Sequence, residues 1–462
     1  MKEFGNTYKL REPLMVCISA QRMPYARGNT LLHRQEPLLI LGDEHSRMRR
    51  QLNSAFSPQS IKDVSHVLFD LAHRLAENFD NNIGLEAESA IFDISPLLHS
   101  FAVDAISMTM FAHNLSAGKE DIPGILHNIM NGPNVDSIAA RCIGIFIGMF
   151  PQLLALPNPM KSWADKLRTE LGKIANKVWD EGCSDAGMDA KIMQALSMFT
   201  TIHRKEASLS YSLVERDDSN GEAVSRDEAV AQLISILFAG SETVANVLGE
   251  LLYELARQPA IQDKLRQELL DFQSKYGRSP NYEDLTKSTS NTLPYLDAVT
   301  RETMRCKATL MDIARCALED DVIPLSTPLA NTNITQIKVK AGTNISIPIR
   351  DGVNVDPEIW GPDADVFRPE RWFEDGGLPD SVKAVRALGN IMSFGDGPRI
   401  CLGRTFAYAE FKIVAATLIP KFVLATEGSK IDFYHLGGNT VKPKVRGREA
   451  EGIQLPLCIR RF

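Results

Sequence analysis

Apolar residues recur at three- and four-residue spacing through IKDVSHVLFDLAHRLAENFD (61–80), which predicts an amphipathic helix behind the punctuation of Ser57 and Pro58. A longer helical pattern runs from about Asp227 to Arg257. Between Glu319 and Pro348 the period shortens to alternation with turn residues, as in ITQIKVKAGTNISIPI, and predicts a small sheet of short strands. The stretch from Val353 to Pro379, rich in Pro, Asp, Gly and Trp, reads as an irregular ordered loop, and helical signal returns at Arg404. Neither an internal repeat nor a Gly/Ser linker divides the chain, so residues 1–462 read as one large domain, mainly α with a small β region.

Composition narrows the partners. Hydrophobic residues make up 44% and charged residues 24%, the balance of a folded protein with a packed core. The net charge of −7, with no long basic run, gives no reason to expect nucleic acid. Seven scattered cysteines without a CxxC pair argue against a disulfide framework and a zinc site and fit a reducing compartment. The first residues, MKEFGNTYKLREPLM, read as too polar for a signal peptide or an anchor. The most apolar stretch, Cys142 to Pro157, falls short of the roughly 20 residues needed to cross a bilayer and is broken at Pro151; it suits a membrane surface.

One segment concentrates the chemistry: Phe394-Gly395-Asp396-Gly397-Pro398-Arg399-Ile400-Cys401-Leu402-Gly403. Glycines there allow the backbone to turn tightly beside a flat cofactor and to aim amides at a sulfur. Hydrogen bonds to a thiolate tune its electron donation, and Arg399 offers a guanidinium fork for a carboxylate. A lone cysteine beside a turn is usually a small buried hydrophobe. Three glycines with Phe, Arg and Cys at fixed offsets, however, should arise by chance in fewer than about one chain in ten thousand. This segment resembles the haem-binding signature of the cytochrome P-450 superfamily, with Phe394, Gly397, Arg399, Cys401 and Gly403 in register and Ala407 and Glu410 extending the match.

Further motifs follow the same resemblance. Glu302 and Arg305 match the family's ExxR, and Arg371 in Phe367-Arg368-Pro369-Glu370-Arg371-Trp372 supplies the third member of a buried charge triad. The same spacing at Glu44/Arg47 and Glu254/Arg257 reads as solvated helix pairs. Ala239-Gly240-Ser241-Glu242-Thr243 resembles the oxygen-activation motif: Gly240 lets dioxygen approach the helix, Thr243 supplies the distal alcohol and Glu242 a proton relay to solvent. Val244 departs from the Thr or Ser often found there. His45 and Arg49 share a helix face and, with Arg315 and Arg399, would bind haem propionates, whereas Arg47 and Arg50 point to solvent. The remaining histidines show no ligand spacing.

The resemblance implies a cytochrome P-450 fold and haem b on Cys401, its only metal ligand, with Phe394, Gly395, Gly403 and Ala239 against the cofactor. It also implies insertion of one oxygen atom of O2 into an apolar small molecule, with electrons from NADPH through cytochrome P-450 reductase. Terpenoids, fatty acids, aromatics and alkaloids all suit the class. Asp320-Asp321-Val322-Ile323-Pro324-Leu325 and FRPERW look like basidiomycete microsomal members, which sit on the cytoplasmic face of the endoplasmic reticulum. Against those members the chain reads as shortened at its N-terminus and clipped between Cys17 and His45, where a strand and the pocket roof would lie. A haem-thiolate isomerase or dehydratase, or a truncated non-catalytic haem protein, are the competing readings.

Overall fold

The computed structural model describes residues 42–111, 226–286 and 292–462, apart from single positions and short gaps within them, together with 169, 172 and 173. Gly42–Asn53 forms α1 and Pro58–Ile83 forms α2. Ser57 caps α2 by accepting the Ser60 N–H at 3.1 Å, Pro58 occupies its first turn, and Gly84 ends it at φ 82, where a side chain would be strained. The apolar stripe read from the sequence (Ile61, Val64, Leu68, Leu71, Leu75, Phe79) is the buried face of α2.

Ser95–Phe111 forms α3, and Arg226–Arg257 forms α4, within a residue of the boundary expected from periodicity. From Phe101 to Met110 every residue of α3 but Met108 is buried, because the helix lies between α2 and α4. Pro259–Tyr276 (α5), Tyr282–Thr286 (α6) and Pro294–Cys306 (α7) follow, then Pro357–Trp360 (α8) and Arg404–Leu418 (α9). One apolar core runs from Leu52 through α2, α3, α4, α5, α7 and α9 to Ile459. A mainly α chain with small sheets at its periphery results, as expected.

Strand β1 (Ser89–Asp93) pairs antiparallel with β9 (Pro456–Arg461), which also pairs with β6 (Phe422–Ala425). The alternating segment after Glu319 contributes to two separate pairings. In one, β2 (Asp312–Cys316) lies antiparallel to β5 (Asn344–Pro348), with Arg315 opposite Ile345; in the other, β3 (Asp321–Pro324) meets β4 (Gln336–Val339). A further hairpin joins β7 (Ile431–His435) and β8 (Val441–Val445).

The loop from Val353 to Pro379 is irregular but densely bonded: Trp360 donates to the Val353 carbonyl at 2.9 Å, and Arg305 reaches the carbonyls of Asn354, Ala364 and Val366. Among the described residues no helix is long and apolar enough to cross a membrane. The Cys142 to Pro157 stretch and residues 17–41 lie outside the described residues.

Candidate active site

The cysteine loop is closed on itself. Gly395 and Gly397 take φ of 70° and 74°, a region costly for other residues, and the Cys401 N–H then reaches the Phe394 carbonyl at 2.7 Å. Phe394 stacks at a tilt on Tyr408 of α9, 5.3 Å between ring centres, which fixes the start of the loop. Burial raises the Cys401 thiol above the ordinary thiol range, opposed by hydrogen bonds from the Gly403 and Arg404 amides and by the charges of Arg404 and Arg49. Cys401 is nonetheless surface-accessible. Cys401 thus presents an accessible side chain with two amides and two cations near its sulfur.

Helix α1 joins this loop through Arg49, whose Nη2 donates to the Ile400 carbonyl at 2.6 Å, next to Cys401. His45, one turn earlier on the same face, is buried. Burial first, then the charges of Arg399 and Arg49, push its pKa down to about 4, so at neutral pH it is an uncharged ring beside two guanidiniums. Arg49 and Arg399 thus form a cationic pair beside the cysteine loop, with the neutral ring of His45 next to them as a hydrogen-bonding group, an arrangement suited to a carboxylate-bearing ligand. Arg50 is exposed as expected, whereas Arg47 is half-buried. Arg315 is half-buried on β2; two residues earlier, and so on the same strand face, Ile313 packs 3.5 Å from where a Gly395 side chain would stand.

Helix α4 passes through the core, yet Ala239 is exposed and Thr243, four residues on, is only half-buried. The two share a helix face that solvent reaches. The Thr243 hydroxyl donates to the Ala239 carbonyl at 2.8 Å, so its donor is held by its own helix. Gly240 stands against α3: a Cβ there would lie 2.9 Å from Ile106 Cδ1 and Cγ1, so a larger residue would have to displace that side chain and close helix contact already favours a glycine. Glu242 does not reach solvent. It is buried, and its Oε1 accepts from Lys442 at 2.9 Å and from Asn246 at 3.1 Å, while Oε2 lies 3.5 Å from His99 Nε2. Burial opposes its ionisation, but Lys442 and His99 outweigh it and hold the carboxyl far below the usual carboxylate range.

Behind the loop, Glu302 binds both arginines of the expected triad. Its Oε1 accepts from Arg305 Nη2 at 2.8 Å, Arg371 Nε at 2.9 Å and the Arg368 amide at 2.9 Å. Its Oε2 accepts from Arg305 Nε and from Trp372 Nε1, each at 3.0 Å. All three charged side chains of the triad are buried, and Ser393, one residue before Phe394, donates to the Met304 carbonyl, linking the triad helix to the cysteine loop.

A family model described as cytochrome P450 matches residues 18–447. The chain belongs to the cytochrome P450 family. Its relatives include cytochrome P450 monooxygenase claO of Ampulloclitocybe clavipes, 33% identical over 91% of this chain and 76% of that protein. Cytochrome P450 monooxygenase 205 of Postia placenta is 29% identical over 92% and 77% of the two chains. The ganoderic acid synthetase of Ganoderma lucidum is 27% identical over 83% and 72%. Cytochrome P450 enzymes are monooxygenases that bind haem through a cysteine thiolate, and the cysteine loop and its cationic surround fit that group.

Besides Arg47, two acids of α4 stand differently from their sequence reading. Glu254, read as half of a solvated pair with Arg257, is buried and also binds Lys307 at 2.8 Å. Glu242, expected as a proton relay to solvent, is itself buried and engaged by Lys442 and His99. Neither partner carried a sequence signal: His99 sits alone in an apolar helix and Lys442 in a strand, and no spacing links positions 99, 242 and 442. Trp372 was legible only as part of its motif; its donation to Glu302 needs the three-dimensional neighbour.

Proposed function

We propose that the chain is a haem-thiolate monooxygenase in which Cys401 is the proximal iron ligand and an apolar small molecule is the substrate. The observation that carries this reading is the accessible Cys401 sulfur at the end of the glycine-rich loop, with the Gly403 and Arg404 amides directed at it. Amide donors stabilise the thiolate over the thiol and limit the charge it gives to iron. His45, Arg49, Arg315 and Arg399 would take the two propionates, and Phe394 and Gly395 would cover the sulfur side. When bound, haem supplies the reductive activation of dioxygen and the transfer of one oxygen atom to the substrate.

The chain's own part on the opposite side falls to α4. Ala239 and Thr243 line the open face, where the Thr243 hydroxyl can exchange its bond to the Ala239 carbonyl for one to a ligand. Glu242 fixes a negative charge one residue away. Electrons would come from NADPH through cytochrome P450 reductase, at the cytoplasmic face of the endoplasmic reticulum, with the Cys142 to Pro157 stretch against the membrane surface. The Ganoderma relative is named for ganoderic acid synthesis, which supports an apolar, secondary-metabolite substrate here.

Turnover with NADPH, reductase and 18O2, on substrates first selected from a lipophilic library by their haem spectral shift, tests the reading. Product carrying one labelled oxygen is expected. Rearranged or dehydrated product without label, formed without NADPH, would favour isomerase or dehydratase chemistry instead.

A further inference from the structure

His99 lies 3.5 Å from Glu242 through Nε2, while its Nδ1 lies 2.9 Å from the Ser95 carbonyl. A carbonyl oxygen only accepts, so Nδ1 must carry a hydrogen. The Glu242 carboxylate, held ionised by Lys442, stands 3.5 Å from Nε2, and its negative charge favours a hydrogen there as well. Although the Ser95 hydroxyl, 3.5 Å from Nδ1, could donate to a neutral ring, the carbonyl and the carboxylate together favour the imidazolium. The neutral ring would turn a lone pair on one of them. We propose, resting on the monooxygenase reading, that His99 is a positioning residue for proton supply beside Thr243: its imidazolium fixes the second carboxylate oxygen of Glu242, and loss of the Nε2 proton to solvent releases it.

The other groups around His99 support this. From α4 it meets Glu242, and from β8 Lys442, whose charge opposes its protonation. Asp93 of β1 is engaged elsewhere, accepting the Ser95 and Leu455 amides at 2.9 and 2.8 Å, and Arg74 of α2 points to Met108. Burial lowers the His99 pKa, but the hydrogen bond and charge of Glu242 and the Ser95 carbonyl prevail, so it stands above the ordinary histidine value. The ring keeps 22% of its side-chain surface exposed, a route by which the proton exchanges with water. With His99 neutral, Glu242 keeps Lys442 and Asn246 on Oε1 alone, and Oε2 becomes free to rotate or take water. The bond that breaks is Nε2–H; the proton goes to solvent and no electrons move.

Two measurements on the haem-loaded enzyme test the proposal. In the diamagnetic reduced carbonyl complex with 13C-labelled histidine, the resonance absent from His99→Gln should titrate above the ordinary histidine range and fall toward it in Glu242→Gln. A His99 midpoint at or below the ordinary range, or one indifferent to Glu242→Gln, overturns the pairing whether or not any substrate is turned over. The yield of product per NADPH in the parent should show an alkaline limb at that midpoint, dropping about twofold where half the rings are neutral. His99→Gln, which keeps one donor but cannot titrate, should lose the limb while retaining more yield than His99→Ala. An unchanged limb in His99→Gln, with the resonance titrating as expected, overturns the positioning role and leaves the monooxygenase reading intact.

Discussion

Glu410 carries a fully buried carboxyl, and among the described residues neither of its oxygens has a hydrogen-bond partner. Burial alone pushes its pKa well above the carboxylate range. The folded chain therefore keeps a proton that the unfolded chain releases. Its contribution is fully present below the unfolded carboxylate pKa and is lost as pH rises toward the folded one. Glu410→Met should raise thermal stability at pH 8, by about 1–3 kcal/mol if the carboxyl is simply an unsatisfied polar group, and flatten the decline of stability with pH. Melting of parent and variant between pH 5 and 8 reads this directly; a variant less stable than the parent at pH 8 would show an unseen partner. Trp372 gives a smaller, separable effect. Trp372→Phe removes one donor from a buried carboxylate already held by Arg305 and Arg371, so a loss of about 1.5–3 kcal/mol is expected without loss of fold. A midpoint unchanged in denaturant unfolding would mean the bond contributes nothing.

Helix α4 shows how an element's chemistry and its packing overlap. Gly240 sits where α3 approaches, and a methyl group would meet the Ile106 side chain at 2.9 Å. Gly240→Ala is expected to cost about 1–3 kcal/mol, and Ile106→Ala in the same chain should recover part of that loss by making room. Additive losses in the double variant would assign Gly240 a role other than packing. The same helix is tied to the rest of the protein by buried acids: Glu242 to Lys442, Glu250 to Arg350 at 2.7 Å, and Glu254 to Lys307. The span of α4 was legible in the sequence because its apolar period runs unbroken from Asp227, and α2 because Ser57 and Pro58 cap a clean stripe. The triad of Glu302, Arg305 and Arg371 was legible through the family resemblance of the two motifs that hold it, since the ExxR spacing alone recurs at Glu44/Arg47 and Glu254/Arg257. The cations opposite the acids of α4 were not, since each comes from a distant segment of the chain where a lone Lys, Arg or His looks like surface.

At the scale of the molecule, the ion triad, the loop from Val353 to Pro379 and the cysteine loop form one connected support. Glu302→Ala would leave the buried Arg305 without its counter-charge and Arg371 with Asp363 alone, a loss of about 3–5 kcal/mol. Little soluble, haem-loaded protein is expected from that variant, in contrast to Trp372→Phe, and equal haem content per chain in the two would contradict the support. That connection carries α7 through Ser393 to Phe394, and so to the loop on which Cys401 stands. The direct test of the whole account is the reduced carbonyl spectrum of Cys401→Ala. The parent should show the long-wavelength band of a thiolate-bound haem, and the variant should lose both that band and monooxygenation, whatever haem it retains. An unaltered spectrum in Cys401→Ala would mean that another residue holds the iron and that the cysteine loop has been assigned the wrong role.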